Sequence, residues 1–293
     1  MAVDLSVLAF KALRRAFFSA EGQPIEFELG DKRNTQDDPF DVKVFETLLG
    51  SLPNDTRCVR APGPLVSPDM AVLRPNLCRE LSKEALRNDA TAAIGIEVKK
   101  LERSANGSIA RSSGLDYNST PPCGTIRVYD SGGAAVDLRG FYLFVCLERG
   151  SAAGFYKLTA LVLCDGDVLN ADFKYYIDIT GERTKSIGVG TYGDGANRNR
   201  PMVIFANPLG SARLDHAVTL IHPADDLADN EMAAVGTVAR TIPINNSRAT
   251  FVCYRDARDR VATFDDLDPF PMPTRTERTS GRGRFNLGLR VGG

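Results

Sequence analysis

An apolar strand carrying an acid and a base on one face, Ile94-Gly95-Ile96-Glu97-Val98-Lys99-Lys100, is where the chain concentrates residues able to do chemistry, with Ser67-Pro68-Asp69 upstream of it. Alternation along a strand sets Glu97 and Lys99 on one side and Ile96 and Val98 on the other. Asp69 and Glu97 supply the hard oxygen ligands that a magnesium ion prefers, and an ion held by two carboxylates keeps several of its waters. Such an ion polarises a phosphate oxygen and lowers the pKa of an attacking water, so the chemistry is hydrolysis of a phosphodiester. Lys99 would orient that water and offset charge on the phosphate. The same triplet also fits the solvated face of an amphipathic strand, and Asp69 after Pro68 also fits a turn.

Pro68-Asp69 and Glu97-Val98-Lys99 match the signature written PD...(D/E)xK. On these residues, the stretch from about 41 to 101 resembles the superfamily of nucleases of that name, most familiar as type II restriction endonucleases. The resemblance implies an α/β fold in which a central mixed β-sheet is flanked by helices, with the motif on a short hairpin. It implies that Asp69 and Glu97 ligate Mg²⁺, that Lys99 helps activate water and that an acid on an early helix, here Glu46, assists. The implied activity is magnesium-dependent, sequence-specific cleavage of double-stranded DNA to 5′-phosphate and 3′-hydroxyl ends. A homodimer is expected with it, because a two-fold protein matches a two-fold site. Asp89 is the rival first acid, closer in sequence to Glu97; Asp69 is preferred because it opens the apolar run Met70-Ala71-Val72-Leu73, which reads as the partner strand. Two other readings stand beside this one. The first is a repair or recombination nuclease of the same fold that reads DNA structure, and the second is a non-catalytic β-rich binding protein in which Glu97 and Lys99 form a surface ion pair.

The elements that must position these groups follow from periodicity. Residues 41–52 read as a helix with Val42, Phe45, Leu48 and Leu49 inward, stopped by Gly50 and Pro53, and with Glu46 beside the stripe. Residues 77–87 have helical spacing between the two motif strands. Strands are expected at 125–129, 140–148, 155–163, 173–179 and 202–206, and the wholly apolar Phe141 to Leu147 should be a central strand buried on both faces. Two long polar segments, 103–124 and 191–201, read as loops, the first either functional or disordered. The second holds Asn197, Arg198, Asn199 and Arg200, residue types that bond bidentately to adenine and guanine; it also fits a plain surface hairpin. Asn118 and Arg127 are further candidate DNA contacts. So are Arg282 and Arg284 in the arginine-rich tail 269–293, which could instead be an arm docked by Phe285 and Leu287. The whole chain, 1–293, is read as one decorated domain: a catalytic core at about 41–101 and β-rich recognition and dimerisation elements over about 103–293.

Composition bounds the rest. With 293 residues, 43% of them hydrophobic, the chain can bury a large core. No run of about 18 apolar residues appears, so no membrane span is expected. Residues 1–18 are amphipathic and carry Lys11, Arg14 and Arg15, a pattern unlike a secretory signal. The net charge of −1 argues against a protein that coats nucleic acid indiscriminately but not against one with a basic cleft. Six scattered cysteines without a CxxC pair suit a reducing cytoplasm and offer no zinc site, and Cys146 and Cys164 are expected to be buried thiols. Neither histidine, His216 or His222, stands in a motif with a nucleophile. No phosphate-binding glycine motif is present, so no nucleotide cofactor is expected.

Overall fold

The structure is a computed structural model that describes residues 2–30, 38–62, 67–104, 106–107, 109, 115–118, 122–169, 203–227, 231–242, 247–259, 263–264 and 287–292. Helix α1 spans Leu5–Phe17, capped by the Asp4 side chain on the Ser6 N–H, and the two-residue strand β1 spans Phe27–Glu28. Helix α2 spans Pro39–Ser51, and β2 (Arg57–Arg60) and β3 (Met70–Leu73) follow it. Two short helices, α3 (Pro75–Glu80) and α4 (Lys83–Leu86), lead into β4 (Ala93–Glu102). Next come β5 (Leu115–Asn118), β6 (Thr125–Tyr129), the long β7 (Ala135–Arg149), β8 (Phe155–Asp165) and the one-turn helix α5 (Gly166–Leu169). Then follow β9 (Val203–Ala206), a 3₁₀ turn at Pro208–Gly210, β10 (Val218–His222), β11 (Met232–Ile242) and β12 (Ser247–Asp256).

The fold is α/β, dominated by one ten-stranded mixed sheet with the path β11-β12-β10-β8-β7-β4-β3-β2, to which β1 adds beside β8 and β6 beside β7. Strands β4 and β7 are parallel, as are β8 and β10, while β2–β3, β3–β4, β7–β8 and β10–β12 are antiparallel. β5 and β9 form a separate two-stranded ladder.

Helices α1 and α2 cover one face. Their Phe10, Leu13, Phe17, Phe40, Val44 and Leu48 pack with Ile94, Ile96, Val98, Phe141, Leu143 and Val145 of the sheet. The Phe17 and Phe27 rings meet edge to face at 4.9 Å. Each such side chain withdrawn from water contributes about 1.5–3 kcal/mol before entropy is set against it, so this layer holds the two helices on the sheet. On the opposite face Tyr142, Phe144, Cys146, Val162, Cys164, Ile221 and Cys253 pack with Val168, Leu209, Leu214 and Phe264. The segment Phe141 to Leu147 is thus buried on both faces, and Cys146 and Cys164 are buried free thiols, as the apolar run implied.

Two elements differ from the periodicity. The segment 77–87 is not one helix: it breaks at Leu81 and restarts at Ser82, whose hydroxyl accepts the Ala85 N–H at 3.2 Å. A serine that can satisfy a helix N-terminus competes with continuing the preceding helix. Helix α2 begins at Pro39, two residues before the expected start, because Asp38 accepts the Phe40 N–H at 3.0 Å and Pro39 fits the first helical position. Its buried stripe is therefore Phe40, Val44 and Leu48, and Leu49 is 58% exposed. The strand expected at 173–179 lies outside the described residues. Among the described residues no helix is long and apolar enough to cross a membrane.

Candidate active site

The β3–β4 hairpin builds the site. Met70 pairs with Ile96 across the antiparallel ladder, so Asp69, just before β3, lies beside the middle of β4. There its Oδ2 accepts the Val98 backbone N–H at 2.7 Å. The β3 ladder ends at the Met70–Ile96 pair, and beyond it the Val98 donor is taken by the motif carboxylate itself. Glu97 and Lys99 project from one face of β4, as alternation requires, and Lys99 Nζ donates to Glu97 Oε1 at 3.0 Å. Ser67 Oγ donates to Glu97 Oε2 at 2.9 Å, so both carboxylate oxygens are oriented. Glu97 is 6% exposed, a depth at which a carboxylate must be partnered. The pair is thus no solvated surface bridge.

Helix α2 brings a third acid. Asp41, in its first turn, is pushed up to about 7 by burial, then by the Asp38 carboxylate, with Glu97 adding in the same direction and Lys100 and Arg60 opposing. Asp69 is pushed well above the usual carboxylate range by burial first and then by Glu97 and Asp41, against the pull of Lys99 and the Val98 N–H. Asp41, Asp69 and Glu97 therefore act on one another as a single cluster short of positive charge. Lys100 offsets only part of it, since it is bonded to Asp38 Oδ2 at 2.7 Å. Carboxylates raised by burial and by one another are the setting in which functional acids and cation ligands are found. That donor set fits a hard divalent cation. Among the described residues no group of three or more His, Cys, Asp and Glu side chains converges tightly enough to hold a metal by itself. A cation here would rest on Asp69 and Glu97 and retain waters, as Mg²⁺ does.

Glu46, the acid proposed from the helical stripe, is exposed on α2. With Phe40 inside the helix the buried stripe is Phe40, Val44 and Leu48, and the α2 acid that acts on Glu97 and Asp69 is Asp41. The signal was present in Asp38-Pro39, a cap followed by an N1 proline. Asp89, the rival acid, is bound up in its own turn, accepting from the Thr91 N–H at 2.9 Å and the Thr91 hydroxyl at 2.6 Å. It lies beyond the opposite end of β4, before Ala93, which pairs with Leu73. Arg127 on β6 forms a bidentate pair with Asp137 of β7, at 2.8 and 3.0 Å. Asn118 ends β5, opposite Val203 of β9. Asn197, Arg198, Asn199, Arg200, Arg282 and Arg284 lie outside the described residues. His222 packs its ring 5.9 Å from Phe141 and bonds Asp4 Oδ2 at 3.1 Å, a structural tie from β10 to the α1 cap.

Compared with protein-family models, curated proteins and solved structures, the chain matches none.

The raised Asp41 carboxyl has a thermodynamic signature. Between its unfolded value of 3.8 and about 7 the native state holds a proton that the unfolded state has lost, so this group's contribution to stability declines as pH rises through that window. Asp41→Asn removes the penalty. In chelator, the variant should gain on the order of 2 kcal/mol over the parent at pH 8 and nothing at pH 4, read by urea denaturation. Equal stabilities at both pH values would show that Asp41 is not part of the cluster.

Proposed function

We propose that the protein is a magnesium-dependent, sequence-specific endonuclease of double-stranded DNA with a restriction-endonuclease-like core, working as a homodimer. The observation that carries the reading is the β3–β4 hairpin, which sets Asp69 on the Val98 N–H beside the Glu97–Lys99 pair, with Asp41 delivered from the preceding helix. The resemblance of Pro68-Asp69 and Glu97-Val98-Lys99 to PD...(D/E)xK implies such a hairpin for Asp69, Glu97 and Lys99, with the helical acid at Glu46, where this reading has Asp41 instead.

Asp69 and Glu97 would hold the ion, and Mg²⁺ bound there supplies polarisation of the phosphate and a water of lowered pKa. The Val98 N–H and Ser67 hydroxyl fix the two carboxylates in place before any ligand arrives. Lys99, anchored on Glu97, presents its ammonium where it can orient the attacking water and offset charge on the phosphate oxygens. Asp41 shapes the field of the cluster and has the proton affinity to accept a proton near neutral pH. Water attacks phosphorus in line, the bond to the 3′-oxygen breaks, and the products are a 5′-phosphate and a 3′-hydroxyl. Cleavage of both strands at a symmetric site calls for two copies of the chain.

Incubation of supercoiled plasmid with the protein tests the reading. Discrete linear fragments with Mg²⁺ and intact plasmid with EDTA are expected. Diffuse degradation would replace sequence specificity by recognition of DNA structure, and no cleavage under any divalent cation would overturn the assignment.

A further inference from the structure

At the opposite end of the sheet path from β2 and β3, a cleft of about 570 Å³ opens among the α1–β1 turn, the start of β10 and the end of β12. Glu21, His216, Arg255, Arg258 and Asp259 supply its charged and polar walls. Most of these groups already have partners. Arg258 clamps Asp256 with two bonds, at 2.8 and 2.6 Å, and this contact above all holds the Asp256 carboxyl down to about 2. The buried Arg14 of α1 bonds Asp259 at 2.8 Å and approaches Asp256 at 3.4 Å. Glu21 accepts from the Ser19 hydroxyl at 2.9 Å.

Arg255 is the exception. It is 8% exposed, yet among the described residues no carboxylate lies within ion-pair distance. Its Nε donates to Thr219 Oγ1 and its Nη2 to the Arg213 carbonyl, each at 2.9 Å. Nη1 has no partner among the described residues and remains for the cleft. The Phe264 ring, 6.0 Å from the guanidinium centre, braces it, and Arg213 lies 5.9 Å from the same ring. Phe264 can sit there because residue 236 is glycine: a Cβ at Gly236 would stand 2.1 Å from the Phe264 Cε2. Burial pushes Arg255 below its ordinary value, an environment that disfavours its charge as it stands. His216, which also lines the cleft, has a side chain 60% exposed and is held at φ 59°, a left-handed conformation that costs a non-glycine residue about 1–3 kcal/mol and recurs at ligand sites.

We propose that this cleft is an oxyanion-binding site for a phosphate group, in which the Arg255 guanidinium is the fixed anchor and His216 the outer donor. A planar guanidinium fixed in place by two hydrogen bonds and an aromatic ring presents its remaining N–H groups in the geometry that matches phosphate oxygens. The ligand then supplies the paired anion that no described carboxylate provides within ion-pair distance. The site is distinct from the Asp69–Glu97 cluster: Arg255 is on β12, whereas Glu97 is on β4, with β10, β8 and β7 lying between these strands in the sheet.

Titration of the full-length protein with inorganic phosphate in EDTA, followed by ¹H–¹⁵N spectra and calorimetry, tests this without calling on any cleavage activity. Saturable binding at one site is expected, with His216→Asn, which tolerates the left-handed backbone, weakening it about threefold and Arg255→Gln weakening it at least tenfold. Arg255→Lys, which keeps the charge and loses the fork, should fall between, and it guards against a variant that fails to fold. Competition by a short duplex identifies a nucleic-acid phosphate as the source; independent binding of duplex and phosphate identifies a free phosphate or a phosphorylated small molecule. Non-saturable binding, or equal affinity in folded Arg255→Lys, His216→Asn and parent proteins, would overturn the proposal.

Discussion

Glu97→Gln and Asp69→Asn should each lower the rate of DNA cleavage by about 10³-fold or more, some 4 kcal/mol of barrier, while leaving DNA binding intact or stronger. The neutral amides keep the shape of the side chains and the contacts with Ser67 Oγ and the Val98 N–H, so the hairpin should persist. What they lose is the charge that would hold a divalent ion, and with it the repulsion a carboxylate cluster exerts on phosphates. Asp69→Asn also removes a carboxyl that burial and its neighbours already disfavour as an anion, so its thermal stability at neutral pH should not fall. The check is single-turnover cleavage beside duplex affinity and melting of the same samples. Normal cutting by Asp69→Asn with loss of activity in Asp89→Asn would move the first acid to Asp89.

Lys99→Ala should reduce single-turnover cleavage by about 10²- to 10³-fold at saturating Mg²⁺ and DNA, with little change in the DNA concentration needed for half-maximal rate. The ammonium is 3.0 Å from Glu97, and the orienting and electrostatic task proposed for it would be expressed mainly in the transition state. Removing it leaves Glu97, 6% exposed, with only its other contacts, so some loss of stability should accompany the loss of rate. The two effects separate on Lys99→Arg, which restores the ion pair and the fold but not the point charge at the same place. Full activity in Lys99→Ala would reduce Glu97-Val98-Lys99 to a structural strand.

Local chemistry made part of the site readable in advance. Period-two alternation was enough to pair Glu97 with Lys99, and the apolar run after Pro68-Asp69 was enough to find β3, because both are short-range properties of an extended chain. Asp41 escaped because the inward stripe was drawn through Val42, Phe45, Leu48 and Leu49 with Phe40 left outside the helix, whereas the buried stripe is Phe40, Val44 and Leu48. The Arg255 cleft is invisible in the sequence for another reason. Its parts come from residues around 20, 216, 255 and 264, brought together by strand order alone, and no pattern along the chain encodes that order. The extension of β8 to Asp165 is similarly non-local: a charged residue ends that apolar strand buried because Arg139 of β7 clamps it with two bonds of 2.6 Å.

The parallel pairings at the centre of the sheet also bear on how the chain assembles. β3 and β4 are neighbouring strands in the chain, joined through residues 74–92 with α3 and α4, so the Asp69–Glu97 pairing closes the shorter loop. β4 must instead wait for β7, and β8 for β10, across intervening segments that include β5, β6 and β9. Parallel ladders of high sequence separation incur their loop-closure cost before any contact repays it, which makes them slow to form. Until β7 arrives, β4 presents an open apolar edge, Ile94 to Val98, able to pair with another chain. The strand that carries Glu97 and Lys99 is thus also an aggregation-prone edge of the nascent protein, and recruitment of the fifteen-residue β7 is what closes it.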